Sequence, residues 1–223
     1  RVNNDMLAPM PEPVNPRPYH SPMRAERAEQ TRAAIIDAAG QLLVNEGFAR
    51  TTVHRIAERA GVHVDTIYRS IGRKPDLVRA VVESAISGGV DAVPAVERDY
   101  VRAIRAADSA REKLRIYADA IARIQPRLAP LHLALADAAR SDESSRMLWE
   151  EISERRARNM RDLAADLRAT GELRAEVDDD TVADIIWSMN STEYWELLVE
   201  RRGWSAERFR TWLADAWIRL LLE

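Results

Sequence analysis

Residues 51–74 of this chain read TTVHRIAERAGVHVDTIYRSIGRK, and this stretch decides the fold of the N-terminal region. Apolar and small residues recur in it at the spacing of two short helices, at Val53, Ile56, Ala57, Ala60, Val62, Ile67 and Ile71. Gly61 interrupts the pattern where a tight turn between the two helices needs a positive φ. The spacing therefore predicts a helix-turn-helix.

The inward positions of this motif carry side chains of the size that two crossing helices require. Ile56 and Ala60 face the inside of the first helix, and Ala57 is small because the second helix crosses close to it. The second helix is left with an outward surface made of His63, Val64, Asp65, Thr66, Tyr68 and Arg69.

Residues 51–78, TTVHRIAERAGVHVDTIYRSIGRKPDLV, resemble the DNA-binding segment of the tetracycline-repressor (TetR) family of transcription regulators. In that family a threonine pair opens the first helix, and a T-[LI]-Y triplet, here Thr66-Ile67-Tyr68, lies in the recognition helix. The resemblance covers roughly residues 28 to 86. It implies an all-α regulator with a three-helix helix-turn-helix head for double-stranded operator DNA. It also implies a helical body that forms a homodimer and senses a small-molecule effector, with repression as the expected sign of regulation.

The resemblance places contacts to the DNA backbone at Tyr68 and Lys74, whose hydroxyl and ammonium groups both suit phosphate oxygens. The hydroxyls of Thr52 and Thr66 are expected on the same side, with Thr52 also capping the first helix. We expect base edges to be read by the remaining outward residues, His54, His63, Val64, Asp65 and Arg69.

Three departures from the family pattern bear on this prediction. Ser70 and Ile71 stand where an aromatic pair ending in Phe is usual, and Arg55 stands where an acid would complete a capping box. Asp65 stands where a small residue is common. Its carboxylate can accept a hydrogen bond from a cytosine amino group, or stabilise the dipole of its own helix, and the two roles are compatible. We expect a changed operator preference and slightly looser packing.

Composition and charge agree with a DNA-binding head on a larger body. The chain has 223 residues, of which 46% are hydrophobic, and this is enough for a small domain joined to a larger one. Residues 23–80 contain ten lysines and arginines against seven acids, whereas residues 81–223 contain 21 against 27. The basic excess is therefore local to the motif. Cysteine is absent and no signal peptide or long apolar run is visible, so we expect a cytoplasmic protein without a membrane partner.

The sequence divides into four predicted segments. They are a disordered Pro-rich leader over 1–22, a helix-turn-helix DNA-binding domain over 23–73, a connecting helix over 74–89 and a helical regulatory and dimerisation domain over 90–223. The leader is predicted because six prolines occur among few large apolar side chains.

Helix boundaries follow from caps, glycines and prolines. We expect the first helix from Glu26 to Asn45 and the fourth from Pro75 to Ser87. Ser109 followed by Glu112 predicts a capped helix that Pro126 and Pro130 separate from the next one. The remaining predicted helices are a long one that buries Met147 with Leu148 and ends at Gly171, one from Asp178 to Arg201, and a last one capped by Ser205.

A small-molecule pocket is expected around the predicted helix over 178–201. Polar and aromatic side chains there, with two from facing helices, form a mixture typical of such pockets: Tyr117, Met160, Trp187, Asn190, Glu193 and Tyr194. If Glu193 lies inside the pocket, its carboxylate favours a cationic or hydrogen-bond-donating aromatic ligand. The alternative is an internal ion pair of Glu193 with Arg155, Arg156 or Arg158, or polar contacts across a subunit interface.

The last two helices are predicted to form the homodimer interface. The final helix offers more apolar surface than one small core needs, at Trp212, Leu213, Ala216, Trp217 and Leu220. Large aromatic side chains are typical anchors of such interfaces.

Catalysis and metal binding are not expected. The four histidines are His20, His54, His63 and His132, and none completes the Glu-x-x-His spacing of a di-metal bundle. No P-loop, nucleophile elbow or dinucleotide fingerprint occurs, so we predict no catalytic residue, no metal ligand and no cofactor. One alternative to a ligand-responsive regulator is a helical adaptor whose body binds a protein partner and whose head serves only for DNA localisation.

Overall fold

The computed structural model describes residues 22–89 and 93–223, and over these ranges the chain is helical. Ten α-helices occur there: α1 (Pro22–Arg50), α2 (Val53–Ala60), α3 (Val64–Ser70), α4 (Lys74–Ser87), α5 (Asp99–Ala106), α6 (Ala110–Ala138), α7 (Glu143–Arg168), α8 (Asp179–Met189), α9 (Thr192–Trp195) and α10 (Ala206–Leu221). A 3₁₀ turn covers Ala95–Glu97, and a π-helical turn, Glu196–Arg201, continues α9. The all-α prediction is confirmed. The predicted leader lies outside the described residues, apart from Pro22, at which α1 begins.

The helix-turn-helix forms where its sequence pattern predicts it. Ile56 and Ala57 of α2 and Ile67 of α3 are buried in one apolar cluster with the inner face of α1. The hydroxyl of Thr52 accepts a hydrogen bond from the backbone N–H of Arg55 at 3.3 Å and so caps α2. Gly61 ends α2 with φ at 67°, as the predicted turn requires.

The turn from α3 into α4 depends on Gly72, which has a φ of 125°. A Cβ at this position would lie 2.5 Å from a carboxylate oxygen of Asp76. That carboxylate accepts a hydrogen bond from the backbone N–H of Arg73 at 2.9 Å and caps α4. The start of α4 is therefore fixed against the end of α3, and the predicted fourth helix is confirmed, ending at Ser87 before Gly88.

Several predicted helix boundaries were wrong. α1 begins at Pro22 rather than Glu26, and Gly47, with φ at 78° and ψ at 168°, interrupts its helical geometry before Arg50. α6 runs without a break through Pro126 and Pro130, because its length packs against α1, α4, α7 and α10, and this packing outweighs the two backbone hydrogen bonds that the prolines cannot donate. Met147 of α7 is 62% exposed, since the buried side of α7 is formed by Leu148, Ile152, Met160, Leu163 and Leu167.

The single helix predicted from Asp178 to Arg201 is also wrong. α8 ends at Met189, and a new helix begins after Ser191, whose hydroxyl accepts a hydrogen bond from the backbone N–H of Tyr194 at 3.4 Å. The break occurs because the buried amide of Asn190 bonds to groups on other helices. Residues before and after the break therefore do not share one helical face.

Two apolar clusters form the interior of the described structure. The head cluster contains side chains of α1, α2, α3 and α4. It extends onto Leu135 of α6 and onto Leu148 and Ile152 of α7. The body cluster surrounds Trp217 of α10 and joins it to α5, α6, α7 and α8. Because α6 and α7 contribute to both clusters, the head and the body are connected by packed side chains.

Candidate DNA-binding surface and body cavity

α3 presents a mixed, accessible surface on the side opposite its buried anchor, Ile67. Tyr68 is 49% exposed, and His63, Asp65 and Arg69 are exposed as well. The structure therefore leaves these four side chains available to a duplex, as the sequence predicts. Their contacts with DNA stay a prediction.

Two other predicted DNA-contacting residues of α3 are less accessible. Val64 is half-buried and packs against the head cluster, so a smaller part of its side chain can meet a base edge. Thr66 is half-buried too. His54 of α2 and Thr52 before it are exposed, although the hydroxyl of Thr52 already caps α2.

Lys74 has a second role inside the protein. Its ammonium donates a hydrogen bond to the backbone carbonyl of Phe48 at 2.5 Å and lies 3.8 Å from the centre of the Phe48 ring. Burial lowers the pKa of Lys74, while the negative charge of Asp142 acts against this shift. The ammonium therefore ties the start of α4 to the end of α1, in addition to its predicted phosphate contact.

Arg55, where the family has an acid, is used differently here. Its backbone N–H donates to Thr52, and its guanidinium binds the carboxylate of Glu46 with one N–O distance of 2.7 Å. An ion pair between α1 and α2 thus replaces the missing half of the capping box. The reciprocal half of the capping box is missing, as the sequence predicts, and the guanidinium of Arg55 contacts α1 instead. The looser packing and the changed operator preference stay predictions.

Replacing Asp65 by alanine should change which bases are preferred more than how tightly DNA is bound. The carboxylate is exposed in the first turn of α3, where it can accept from a base. Each altered base preference should amount to about 1–3 kcal/mol. The measurement is selection of bound duplexes from a random pool by wild type and variant, with Asp65→Asn as the isosteric control. Identical selected sequences for all three proteins would show that Asp65 serves only the helix.

Three of the predicted pocket residues meet in the body. The phenol oxygen of Tyr117 accepts a hydrogen bond from the side-chain amide of Asn190 at 2.8 Å, and the Met160 sulfur lies 3.2 Å from the same amide. The Tyr117 ring stacks on Trp217 with ring centres 5.6 Å apart. Burial raises the pKa of Tyr117 well above its usual range, so the phenol stays neutral. Tyr117, Met160 and Asn190 therefore form a buried cluster of mutual polar contacts.

The other three predicted pocket residues do not join this cluster as expected. Glu193 and Tyr194 are exposed because the break after α8 turns them away from Tyr117. The Tyr194 ring instead stacks on Trp212 at 5.9 Å. Trp187 contacts Arg156, whose guanidinium lies 4.7 Å from the Trp187 ring. The expected pocket around a buried Glu193 is therefore absent from the described residues.

The expected ion pair of Glu193 with α7 is not formed either, within the part of the chain that the structure describes. Arg155 binds Glu83 at 2.5 Å, and Arg156 donates to the side-chain oxygen of Asn190 at 3.2 Å and to the backbone carbonyl of Trp187. Arg158 is exposed. Buried positive charge next to Asn190 thus comes from Arg156, and the charge of the exposed Glu193 acts on that guanidinium without an ion pair.

A body cavity of about 380 Å³ lies between α4, α6, α7 and residues 93–100. Its polar lining comes from residues that were not among the predicted pocket residues: Glu83, Arg98, Tyr100, His132, Arg155, Arg156 and Asn159. Of these, Arg155 and Arg156 were considered only as ion-pair partners of Glu193. A neighbouring cavity of about 370 Å³ shares Tyr100 and Asn159 and reaches Tyr117 and Met160. The clearest sequence signal for this region was Glu83, an acid on the apolar face of α4.

The predicted interface residues of α10 fall into two groups. Leu213 and Trp217 are fully enclosed by their own body cluster, so they offer no surface to a second subunit. Their inclusion in the interface was wrong, because other helices of the same protomer already cover them, and helical spacing alone does not show this. Trp212 and Ala216 are half-buried and Leu220 is 49% exposed, and these three remain available.

Comparison with known proteins assigns the N-terminal region to a family. Residues 35–81 match the family model of bacterial regulatory proteins, tetR family. The HTH-type transcriptional regulator TtgR of Pseudomonas putida is 46% identical over 59 residues, which are 26% of this chain and 28% of that protein. The matched part of this chain thus spans little more than a quarter of that relative. The family and its relatives are transcriptional regulators and not enzymes.

Solved structures share the fold over nearly the whole chain. NalD, the secondary repressor of the MexAB-OprM multidrug efflux pump in Pseudomonas aeruginosa, has a TM-score of 0.68 at 18% identity, over 88% of this chain and 98% of that one. A putative transcriptional regulator from Saccharomonospora viridis, solved in complex with choline, has a TM-score of 0.62 at 19% identity, over 87% and 98%. At these identities the likeness shows the fold alone.

Two features are absent from the described residues. No helix among them is both long and apolar enough to cross a bilayer. Within the same ranges, no three histidine, aspartate or glutamate side chains converge as metal ligands would.

Proposed function

We propose that this chain, which carries the DNA-binding domain of the TetR family on the fold of TetR-family regulators, is a cytoplasmic, ligand-responsive transcriptional repressor that binds a palindromic operator as a homodimer. The observation that carries the proposal is α3. This helix buries only Ile67 completely and leaves His63, Asp65, Tyr68 and Arg69 exposed beside the basic start of α4. A short helix anchored on one side and accessible on the other is the arrangement that enters a major groove.

Selection of duplexes from a random pool by the purified chain tests the proposal. A homodimer with two copies of α3 should enrich sequences with two-fold symmetry and half-sites about one helical turn apart, or a multiple of it. Absence of any enriched sequence at physiological salt would contradict sequence-specific regulation. Enrichment of a single, asymmetric half-site would contradict the homodimer.

The homodimer interface is proposed on the outer faces of α8 and α10. Trp212, Ala216 and Leu220 follow one another at four-residue spacing along α10 and therefore share one side of it. Ile185 of α8 is a half-buried apolar side chain in the same body region. Pairing of these faces by two-fold symmetry would cover apolar surface that one protomer leaves in water.

Replacing Leu220 by arginine should dissociate the homodimer. A charge at a buried apolar contact appears twice in a two-fold interface, and its desolvation would raise the dissociation constant by about tenfold or more for each copy. Sedimentation over a concentration series measures the change. Thr211→Arg is the matched control, because nine residues along a helix place Thr211 on the opposite side of α10. A dimer equally stable in both variants would rule out this face.

The proposed response to a ligand runs through α4. Glu83 of α4 is held by Arg98, at 2.8 Å, and by Arg155 of α7, at 2.5 Å, and all three side chains line the body cavity. A molecule that binds there would change these contacts and so shift α4, which is continuous with the turn at the end of α3. A shift of α4 would alter the separation of the two recognition helices and release the operator.

A further inference from the structure

We propose that the body cavity binds an amphipathic carboxylic acid as its effector, with the carboxylate among the arginines and an apolar tail against α6. The inference rests on the proposed function, since it names the ligand class of the cavity through which α4 would respond.

Positive charge exceeds negative charge in the cavity lining. Three arginines, Arg98, Arg155 and Arg156, line it, and Glu83 is the one carboxylate among the described lining residues. The Glu83 side chain is 12% exposed and is bound by both Arg98 and Arg155. Arg98 also donates to the backbone carbonyl of Val93 at 3.1 Å. Arg98 donates to one carboxylate oxygen of Glu83 and Arg155 forms an ion pair with the other. Three guanidinium groups thus accompany one carboxylate in the lining, and the excess positive charge is left for an additional anion.

Arg156 supplies that excess from a largely enclosed position. Its hydrogen-bond partners are the neutral side-chain oxygen of Asn190 and the backbone carbonyl of Trp187. In residues 22–89 and 93–223, no carboxylate oxygen lies within 4.0 Å of its guanidinium. Burial lowers the pKa of Arg156, with Tyr117 and the more distant Glu193 acting against this. A buried guanidinium without a carboxylate partner gains more from an incoming anion than an exposed one does.

His132 adds a hydrogen-bonding group that no protein atom uses in the described structure. It is 2% exposed, lines the cavity, and has no partner on either ring nitrogen within those residues. Burial lowers the pKa of His132 to about 4; the charges of Arg156 and Arg155 act in the same direction, and the charge of Glu193 acts against them. The neutral ring carries one N–H, which can donate to a ligand oxygen. A buried donor without a partner is costly, so a ligand oxygen here would be favourable.

The remainder of the lining is apolar. Side chains of α4, α6 and α7 form it: Ile86, Ile121, Ile124, Leu128 and Ile152. A cavity of about 380 Å³ is at the lower end of the range for small-molecule sites, and it adjoins a second cavity that could take a longer tail. An amine or a quaternary ammonium would place its charge among guanidinium groups and would be repelled.

Binding of 4-phenylbutyrate, 4-phenylbutanol and 4-phenylbutylamine to the full chain without DNA tests this inference. The three probes share one tail and differ in the polar group alone. Titration calorimetry at neutral pH should give the acid an affinity about tenfold or more above that of the alcohol, with the amine weakest. Equal affinities, or an amine that binds most tightly, would overturn the proposal.

Two substitutions with opposite expected effects locate the site. Arg156→Gln removes one positive charge and should weaken the acid about tenfold while leaving the alcohol unchanged. Glu83→Gln removes the competing carboxylate and should strengthen the acid. Arg158→Gln, an exposed neighbour on α7, is the matched control and should leave all three affinities unchanged. Acid affinities that are the same in Arg156→Gln, Glu83→Gln and wild type would contradict the site.

These measurements are independent of DNA. If the protein binds the acid as described but selects no duplex, the ligand class is supported and the proposed regulator is contradicted. A protein that selects a symmetric duplex but does not prefer the acid would support the regulator and overturn the ligand class.

Discussion

Lys74→Met should weaken binding to every duplex by a similar factor and reduce its dependence on salt. The methionine keeps an unbranched apolar chain over the Phe48 ring but removes the ammonium, which we propose contacts a phosphate. Each lost phosphate contact lowers the slope of log affinity against log salt by about one, so two protomers should lose about two. Fluorescence anisotropy with a labelled duplex, at four or more salt concentrations, measures this slope.

The control for Lys74→Met is Arg158→Gln, which removes one exposed positive charge from the body. It should leave the slope unchanged. A loss of affinity in Lys74→Met with the wild-type slope would mean that Lys74 acts only by joining α4 to Phe48. The phosphate contact would then be wrong.

Trp217→Ala should lower the free energy of unfolding by about 3–5 kcal/mol. Trp217 is 0% exposed, stacks on Tyr117 and lies at the centre of the body cluster, so truncation leaves a large cavity. Its indole N–H has no partner among the described residues, and the loss is therefore one of packing rather than of a hydrogen bond. Urea unfolding at one fixed protein concentration measures the change.

Trp212→Ala is the comparison for Trp217→Ala, because Trp212 is half-buried on the same helix. It should cost less stability and should weaken the proposed homodimer more. A Trp217→Ala protein that dissociates into stable, folded monomers would contradict the placement of Trp217 in the protomer core. That result would place Trp217 in the homodimer interface instead.

The head could be predicted because its signals are local. Thr52, Gly61 and the spacing of Ile56 and Ile67 lie within a few residues of one another, and each has a direct backbone or packing consequence. The same reasoning found the end of α4 at Gly88 and the cap of α10 at Ser205. Where capping residues and apolar periodicity agree over short distances, the sequence alone is sufficient to predict a helix and its ends.

The body could not be predicted to the same depth because its decisive contacts are distant in sequence. The break at Asn190 depends on Tyr117 and Arg156, which are distant in sequence, and the one local signal near it is Ser191, which caps the next helix. Periodicity also assigned Trp212 and Trp217 to one face, although only contacts with other helices show which is enclosed. The body cavity combines Glu83, Arg98, His132 and Arg156 from four separate segments. Its charge therefore became visible only with the structure.

The proposed role of α3 is tested by the ratio of two dissociation constants at about 150 mM salt. One is for the duplex selected from the random pool, and the other is for a shuffled duplex of the same composition. For wild type the ratio should be about 10³ or more. It should fall towards one when the exposed residues of α3, His63, Asp65, Tyr68 and Arg69, are all replaced by alanine. A wild-type ratio near one, or a large ratio that survives the four substitutions, would contradict sequence-specific recognition through α3.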